Sequence, residues 1–225
     1  MGRRFYRLSN RLLRLAGPLW VDLSVKGLEF VPRSGPLIVA INHTSFLDPM
    51  LVGTVMPRDV VMMAKAEAFR EPFLGLLVKW YGAFAIHRGE VDRGALKKAL
   101  EVLRAGEALL MAPEGTRSID GRLQQGFDGL AMIAVRTQAP ILPFAIAGGR
   151  PFSTNLKRFK RTQVRVNIGQ PYQPAADASK PGRERLAALT DDLLLRLARL
   201  LPPEQRGQYA DRVSPDLNIP AAAGH

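Results

Sequence analysis

Short apolar runs that stop abruptly at polar clusters, separated by longer stretches of helical periodicity, constrain this chain of 225 residues more than any other feature of it. Runs of this length bounded by turn residues read as strands buried on both faces. Their alternation with helical segments is the pattern of an α/β domain. The runs fall at 24–31, 36–41, 59–64, 83–87, 107–112, 141–147 and 164–168. Helical spacing suits 48–56, 67–80, 92–104, 128–136 and 182–201. The prediction is therefore a mixed, mostly parallel sheet of about seven strands flanked by helices. With 47% hydrophobic residues the chain can bury one substantial core, and it is short for two large domains. The expected division is an N-terminal helix at 1–20, one main domain at 21–203 and a polar tail at 204–225.

Within 3–20, Phe5, Leu8, Leu12, Leu15, Ala16 and Leu19 recur at helical spacing, opposite Arg3, Arg7, Arg11 and Arg14, with no acidic residue. Such a basic amphipathic helix can lie in a headgroup layer, its apolar stripe buried and its arginines meeting lipid phosphates at roughly 1 kcal/mol each. The alternative is a first helix packed on the core. No stretch reaches the ~18 uninterrupted apolar residues of a membrane span. The nearest, 73–86, contains Lys79, and Arg14 breaks the apolar run a secretory signal would need. Tyr6 stands where a myristoylation signal prefers Ser or Thr, so no lipid anchor is expected. The net charge of +12 predicts a polyanionic partner: nucleic acid, an anionic bilayer or a phosphorylated substrate. The absence of cysteine excludes disulfides, thiolate nucleophiles and Cys-based metal sites.

The run 36–41 ends in Asn42-His43-Thr44-Ser45-Phe46-Leu47-Asp48. Ligands of open α/β sheets collect at strand carboxyl ends, so polar groups there are placed for chemistry. Five positions apart, His43 and Asp48 do not share a helix face and can meet only across a turn. If they do, the carboxylate holds one imidazole nitrogen and the other faces the cleft as a base. Otherwise His43 merely satisfies a strand-end carbonyl. A second cluster, Pro113-Glu114-Gly115-Thr116-Arg117-Ser118, also follows an apolar strand. Gly115 permits close backbone approach and Arg117 can fork onto a phosphate, although an ordinary polar turn would carry the same residues. The strand 83–87 delivers Arg88 to the same edge, and Ala139-Pro140-Ile141-Leu142-Pro143 either shapes an acyl-lined wall or stiffens the start of a strand.

Taken in order, Asn42-His43 through Asp48, Gly82 through Arg88, Glu114 through Ser118, and Pro140 through Pro143 resemble the four motif blocks of the lysophosphatidic acid acyltransferase family, over about 25–171. The resemblance implies a glycerol-3-phosphate acyltransferase-like α/β fold. It implies transfer of a fatty acyl group from acyl-CoA or acyl carrier protein to the free hydroxyl of lysophosphatidic acid, in phospholipid biosynthesis. His43 then corresponds to the general base and Asp48 to its orienting partner. Lys65, Arg88, Glu114, Gly115, Thr116 and Arg117 correspond to acceptor-binding residues. Two departures bear on the acceptor: Gln124-Gln125 stand where many members carry two lysines, and His87 stands where an aspartate is frequent. Another lysophospholipid, glycerol 3-phosphate or a lyso-amino-acid lipid is therefore the alternative acceptor.

A hydroxyl is a poor nucleophile unless a base takes its proton as it attacks the thioester, and an imidazole such as that of His43 is the side chain most often used in that role. No metal or organic cofactor is needed. The chain has no Gly-x-Ser-x-Gly elbow, leaving Ser45 as the nearby candidate for a covalent intermediate. Backbone N–H groups at the start of the helix after His43 are the expected donors to the oxyanion. A second basic segment, 150–165, carries six cations and no acid, and suits anionic headgroups or the acidic surface of an acyl carrier protein. The expected location is peripheral or monotopic on the cytoplasmic face of the cell membrane. A non-catalytic membrane- or nucleic-acid-binding protein is the rival reading. It leaves the strand-end motifs unexplained, and an RNA-reading sheet would interleave aromatics that are missing here.

Overall fold

The computed structural model describes residues 2–87, 92–174 and 182–214. Seven strands form one sheet: β1 (Val21–Lys26), β2 (Leu37–Ile41), β3 (Val60–Lys65), β4 (Phe84–Ile86), β5 (Ala108–Met111), β6 (Ile141–Ala147) and β7 (Thr162–Ile168). They lie in the order β1-β7-β6-β2-β5-β3-β4. Every neighbouring pair is parallel except β6 with β7. The carboxyl ends of β6, β2, β5, β3 and β4 therefore share one edge of the sheet, which collects the polar motifs.

Helices cover both faces, as a parallel sheet requires. On one side α4 (Arg93–Arg104), α5 (Gly129–Thr137) and α7 (Arg183–Leu200) pack on Ile38, Leu109, Ile141 and Ala145. On the other, α2 (Asp48–Val55) covers Leu37, Val39, Leu110 and Phe144. The central strand β2 is buried along its whole length, which accounts for its unbroken apolar sequence.

Several boundaries differ from the sequence reading. The first strand is 21–26 rather than 24–31, because Gly27 turns the chain at φ +83, where a Cβ would lie 2.1 Å from the Ile168 carbonyl oxygen. The expected helix 67–80 is a 3₁₀ turn, Ala66–Phe69, followed by α3 (Pro72–Trp80), with Pro72 at the first helical position, where its missing N–H costs nothing. The basic segment 150–165 is not a plain loop, since it contains α6 (Phe152–Lys157) and the start of β7. The tail does not begin at 204. Tyr209 and Val213 belong to the core, and the Leu123 amide donates to the Gln205 carbonyl at 2.8 Å, so the chain remains packed through 213.

The N-terminal helix α1 (Gly2–Ala16) is docked in an unexpected sense. It buries Tyr6 and Asn10 against α2 and α3, where Tyr81 Oη donates to Asn10 Oδ1 at 2.5 Å and the Tyr6 and Tyr81 rings lie 4.7 Å apart. Its arginine flank turns toward the protein. Arg3 pairs with Glu107, Arg7 with Asp59, and Arg14 donates to the carbonyls of Thr54 and Met56. Leu8, Leu12, Leu15 and Leu19 are left 56–80% exposed. Leu76, Leu77 and Trp80 of α3 are also exposed, and Phe5 packs edge-on against Trp80. Among the described residues no helix is long and apolar enough to cross a membrane.

Candidate active site

The end of β2 is fixed before any reacting group appears. Asn42, buried, spans to β6 with both ends of its amide: Nδ2 donates to the Ile146 carbonyl at 2.9 Å and Oδ1 accepts the Ile146 N–H at 2.8 Å. The side chain thus replaces a missing rung of the ladder, and His43 follows from a rigid point. The chain then turns into α2, and Asp48 at its first residue swings back beneath His43.

His43 Nδ1 lies 2.9 Å from Asp48 Oδ2, and the same oxygen accepts the Thr44 and Ser45 amides, each at 2.8 Å. Asp48 is fully buried while His43 retains 14% exposure. A buried carboxylate that accepts two backbone N–H groups is an acceptor, so the proton of the imidazole sits on Nδ1 and Nε2 presents its lone pair. A lone strand-end histidine would not have this arrangement. The turn also narrows one expectation. The amides of Thr44 and Ser45 are committed to Asp48, that of Leu47 to Ser45 Oγ and that of Asp48 to the Ser45 carbonyl, so these groups are not free to receive an oxyanion.

The loop after β5 grips His43 from the other side. Glu114 Oε1 accepts the His43 N–H at 2.9 Å, and the Ser118 N–H donates to the His43 carbonyl at 2.7 Å. Glu114 Oε2 accepts the Gln124 N–H at 2.9 Å. Burial, at 1% exposure, pushes this carboxyl up to about 7 against the lowering effect of those two N–H groups. With each oxygen accepting a main-chain N–H, Glu114 holds the loops together beside His43. Gly115 adopts φ +67, and a Cβ there would lie 2.9 Å from the Phe127 ring. A cavity of about 180 Å³ opens between them, lined by His43, Met63, Ile86, Leu110, Phe127 and Leu130 among others. It is an apolar slot with one base at its wall.

Residues 22–147 match the sequence model of the family described as Acyltransferase, over more than half of the chain. The chain belongs to the acyltransferase family. It is 29% identical over 197 residues to the 1-acyl-sn-glycerol-3-phosphate acyltransferase of Bacillus subtilis (strain 168), covering 87% of this chain and 96% of that protein. It is 28% identical to the probable 1-acyl-sn-glycerol-3-phosphate acyltransferase of Mycoplasma pneumoniae, over 76% of this chain and 65% of that one. Among solved structures it resembles the 1-acyl-sn-glycerophosphate (LPA) acyltransferase PlsC of Thermotoga maritima, with TM-score 0.64, 26% identity, and coverage of 85% of this chain and 75% of that chain.

In this acyltransferase the remaining predicted ligands that the structure describes, Lys65, Thr116 and Arg117, end or follow strands at the same sheet edge. Lys65 ends β3 and pairs with Glu67 at 3.3 Å. Thr116 and Arg117 are exposed on the loop after β5, and Arg117 makes no hydrogen bond or ion pair among the described residues. Arg88 lies outside the described residues. The segment 139–143 begins β6, and none of its residues lines the cavity beside His43; it is a strand start on the core rather than an acyl wall. Sequence reasoning gave no role to Asn42, Ser118 or the main chain of Gln124, although Asn42 and Ser118 stand inside the motifs that it singled out. It also missed His87 and Asp92, which repeat the five-residue spacing of the dyad with Nδ1 3.0 Å from Oδ2. There Asp92 caps α4 through the Ala95 N–H at 2.8 Å, and His87 is exposed, so the pair secures a helix start.

Proposed function

We infer that this acyltransferase moves a fatty acyl group from an acyl thioester, acyl-CoA or acyl carrier protein, to the free hydroxyl of lysophosphatidic acid, giving phosphatidic acid. The observation that carries the reading is the buried Asp48 oxygen that receives His43 Nδ1 and two backbone amides. His43 Nε2 takes the hydroxyl proton as the oxygen attacks the thioester carbonyl. The tetrahedral intermediate then collapses with loss of the thiolate, which takes the proton back from the imidazolium. Atoms and charge balance without a covalent enzyme intermediate. Ser45, the other candidate nucleophile, is buried and its oxygen accepts the Leu47 N–H at 3.2 Å. The apolar slot beside His43 suits the acyl chain, and the cations Lys65, Arg88 and Arg117 suit the acceptor phosphate. The names of the relatives support lysophosphatidic acid as acceptor. The exposed leucines of α1 support a membrane surface as the place of action, with the cytoplasmic face as the side where thioesters are supplied. That surface also meets the attraction of a +12 protein for anionic lipid.

The test is a panel of acceptors dispersed in detergent with acyl-CoA and, separately, acyl carrier protein as donors, with the lipid product identified by mass. Phosphatidic acid formed fastest from lysophosphatidic acid supports the reading. A faster product from another lysophospholipid or from glycerol 3-phosphate would replace the acceptor and leave the reaction class standing. Arg117→Ala should raise KM for the acceptor about tenfold or more, from loss of one charge-assisted contact, and leave KM for the donor unchanged.

A further inference from the structure

A cleft of about 560 Å³, three times the volume of the slot beside His43, lies at the opposite pole of the molecule. It opens between the arginine flank of α1 and the loops that lead into β2, β3 and β5. Gly35 on its wall is eight residues from His43 along an almost fully extended strand, roughly 26 Å at ~3.3 Å per residue. In a glycerol phosphate the hydroxyl and the phosphate are only a few bonds apart. An acceptor reacting at His43 cannot set its phosphate in this cleft.

The lining carries Arg3, Arg7, Arg11, Arg14, Arg33 and Arg58 against Asp59 and Glu107, an excess of four positive charges. Arg3 and Arg7 are neutralised by the two acids. Arg14 donates to the Thr54 and Met56 carbonyls, and Arg58 to those of Pro32, Gly35 and Gly106, which fixes both guanidinium groups without cancelling their charge. Arg11 and Arg33 make no hydrogen bond or ion pair among the described residues. Partial burial already disfavours the charge of Arg58, whose pKa is pushed below its ordinary value. At the α1 side Asn10, 3% exposed, has an Nδ2 donor without an acceptor, beside Gly53. Fastening α1 to the body accounts for Arg3, Arg7 and Arg14, and tying together the loops before β2, β3 and β5 accounts for Arg58. Neither accounts for Arg11 and Arg33 facing the same space.

Fixed guanidinium groups around an open cleft are the chemistry of phosphate recognition. The source of the phosphate follows from the other flank of α1, where Leu8, Leu12, Leu15 and Leu19 are exposed. A helix is about 10 Å across, so a bilayer entered by those leucines has its headgroups near the mouth of the cleft. We propose that the cleft is a second phosphate site, separate from the transfer centre, that holds the headgroup of an anionic phospholipid of the supporting bilayer. The proposal rests on the membrane-surface reading of α1. Because the product inferred above is itself an anionic lipid, the enzyme would be retained where that product accumulates.

The test is binding of the intact protein to vesicles of phosphatidylcholine alone or mixed with phosphatidylglycerol or phosphatidic acid. Wild type is compared with R11Q/R33Q and with R4Q/K79Q, which removes two charges outside the cleft. The cleft pair should lower affinity for anionic vesicles at least tenfold more than the control pair, with little change on phosphatidylcholine alone. Equal losses in the two pairs would overturn the site and leave membrane binding intact. Failure of wild type to bind any vesicle would overturn the membrane reading itself. A calorimetric titration with inorganic phosphate separates the sources: loss of phosphate binding in R11Q/R33Q, with vesicle binding no weaker than the control's, would assign a soluble phosphate and overturn the lipid. Acyl transfer to detergent-dispersed acceptor should survive in R11Q/R33Q, and its loss would overturn the separation of the two sites.

Discussion

At the residue scale, the proposed chemistry rests on two buried carboxylates that do different work. In the proposed mechanism Asp48, 2.9 Å from His43 Nδ1, fixes the tautomer of His43 and stabilises the imidazolium that forms when the hydroxyl is deprotonated. Asp48→Asn keeps an oxygen for the three donors only as a neutral amide, and so removes the negative charge that would stabilise the imidazolium. We expect kcat to fall by roughly three to four orders of magnitude with the fold retained, measured as acyl transfer beside a thermal melt. Glu114 holds the main chain of His43 and Gln124, and burial raises its pKa to about 7. A carboxyl whose folded pKa lies above its unfolded value binds more protons in the folded state. Its ionisation therefore subtracts stability as pH rises from about 4.5 to about 7, by an amount of order 3 kcal/mol. Activity should move the other way, since only the ionised form lets both oxygens accept N–H groups. Denaturant melts across this pH window should show wild type losing stability relative to Glu114→Gln as pH rises. A difference independent of pH would remove Glu114 as the titrating group. Glu114→Gln should also lower kcat about tenfold or more at pH 8, because its Nε2 meets a backbone N–H it cannot accept.

At the scale of elements, α1 distinguishes what periodicity can and cannot say. The moment of the helix, its basic side and its apolar side were legible in Phe5, Leu8, Leu12 and Leu15 against Arg3, Arg7, Arg11 and Arg14. Which side faces the protein was not, because that depends on partners far along the chain: Glu107, Asp59 and the carbonyls at the end of α2. Arginines expected on lipid phosphates are partly engaged with the body, and the leucines face outward. Leu8→Gln, Leu12→Gln and Leu15→Gln combined should leave the melting temperature near wild type, since the positions are exposed. Vesicle binding should fall sharply, each leucine contributing roughly 1–2 kcal/mol on entering an apolar layer. A large loss of melting temperature would mean that the stripe packs on the protein. The strands were the most legible elements, since β2, β5 and β6 are buried on both faces and read as unbroken apolar runs. The segments 150–165 and 204–214 were misread because α6 is one short, polar helix and Tyr209 is one buried aromatic in a polar stretch, neither long enough to set a period.

At the scale of the whole molecule, the parallel sheet separates two kinds of recognition. The carboxyl ends of its strands gather the dyad, the Glu114 clamp and the apolar slot. The amino-terminal ends gather arginines under α1. The candidate site could be read from sequence as a set of motifs at one sheet edge, because each motif sits where an apolar strand stops. The arginine cleft could not, because its lining comes from α1 and three separate loops that only the sheet order brings together. The most direct measurement of the central claim is thiol release from acyl-CoA by wild type and His43→Ala, in single-turnover mixing with and without lysophosphatidic acid. Direct transfer by a His43–Asp48 base predicts release only when acceptor is present, and its loss in His43→Ala. A stoichiometric burst of thiol before acceptor is added, or acceptor-dependent release that survives in His43→Ala, would contradict it.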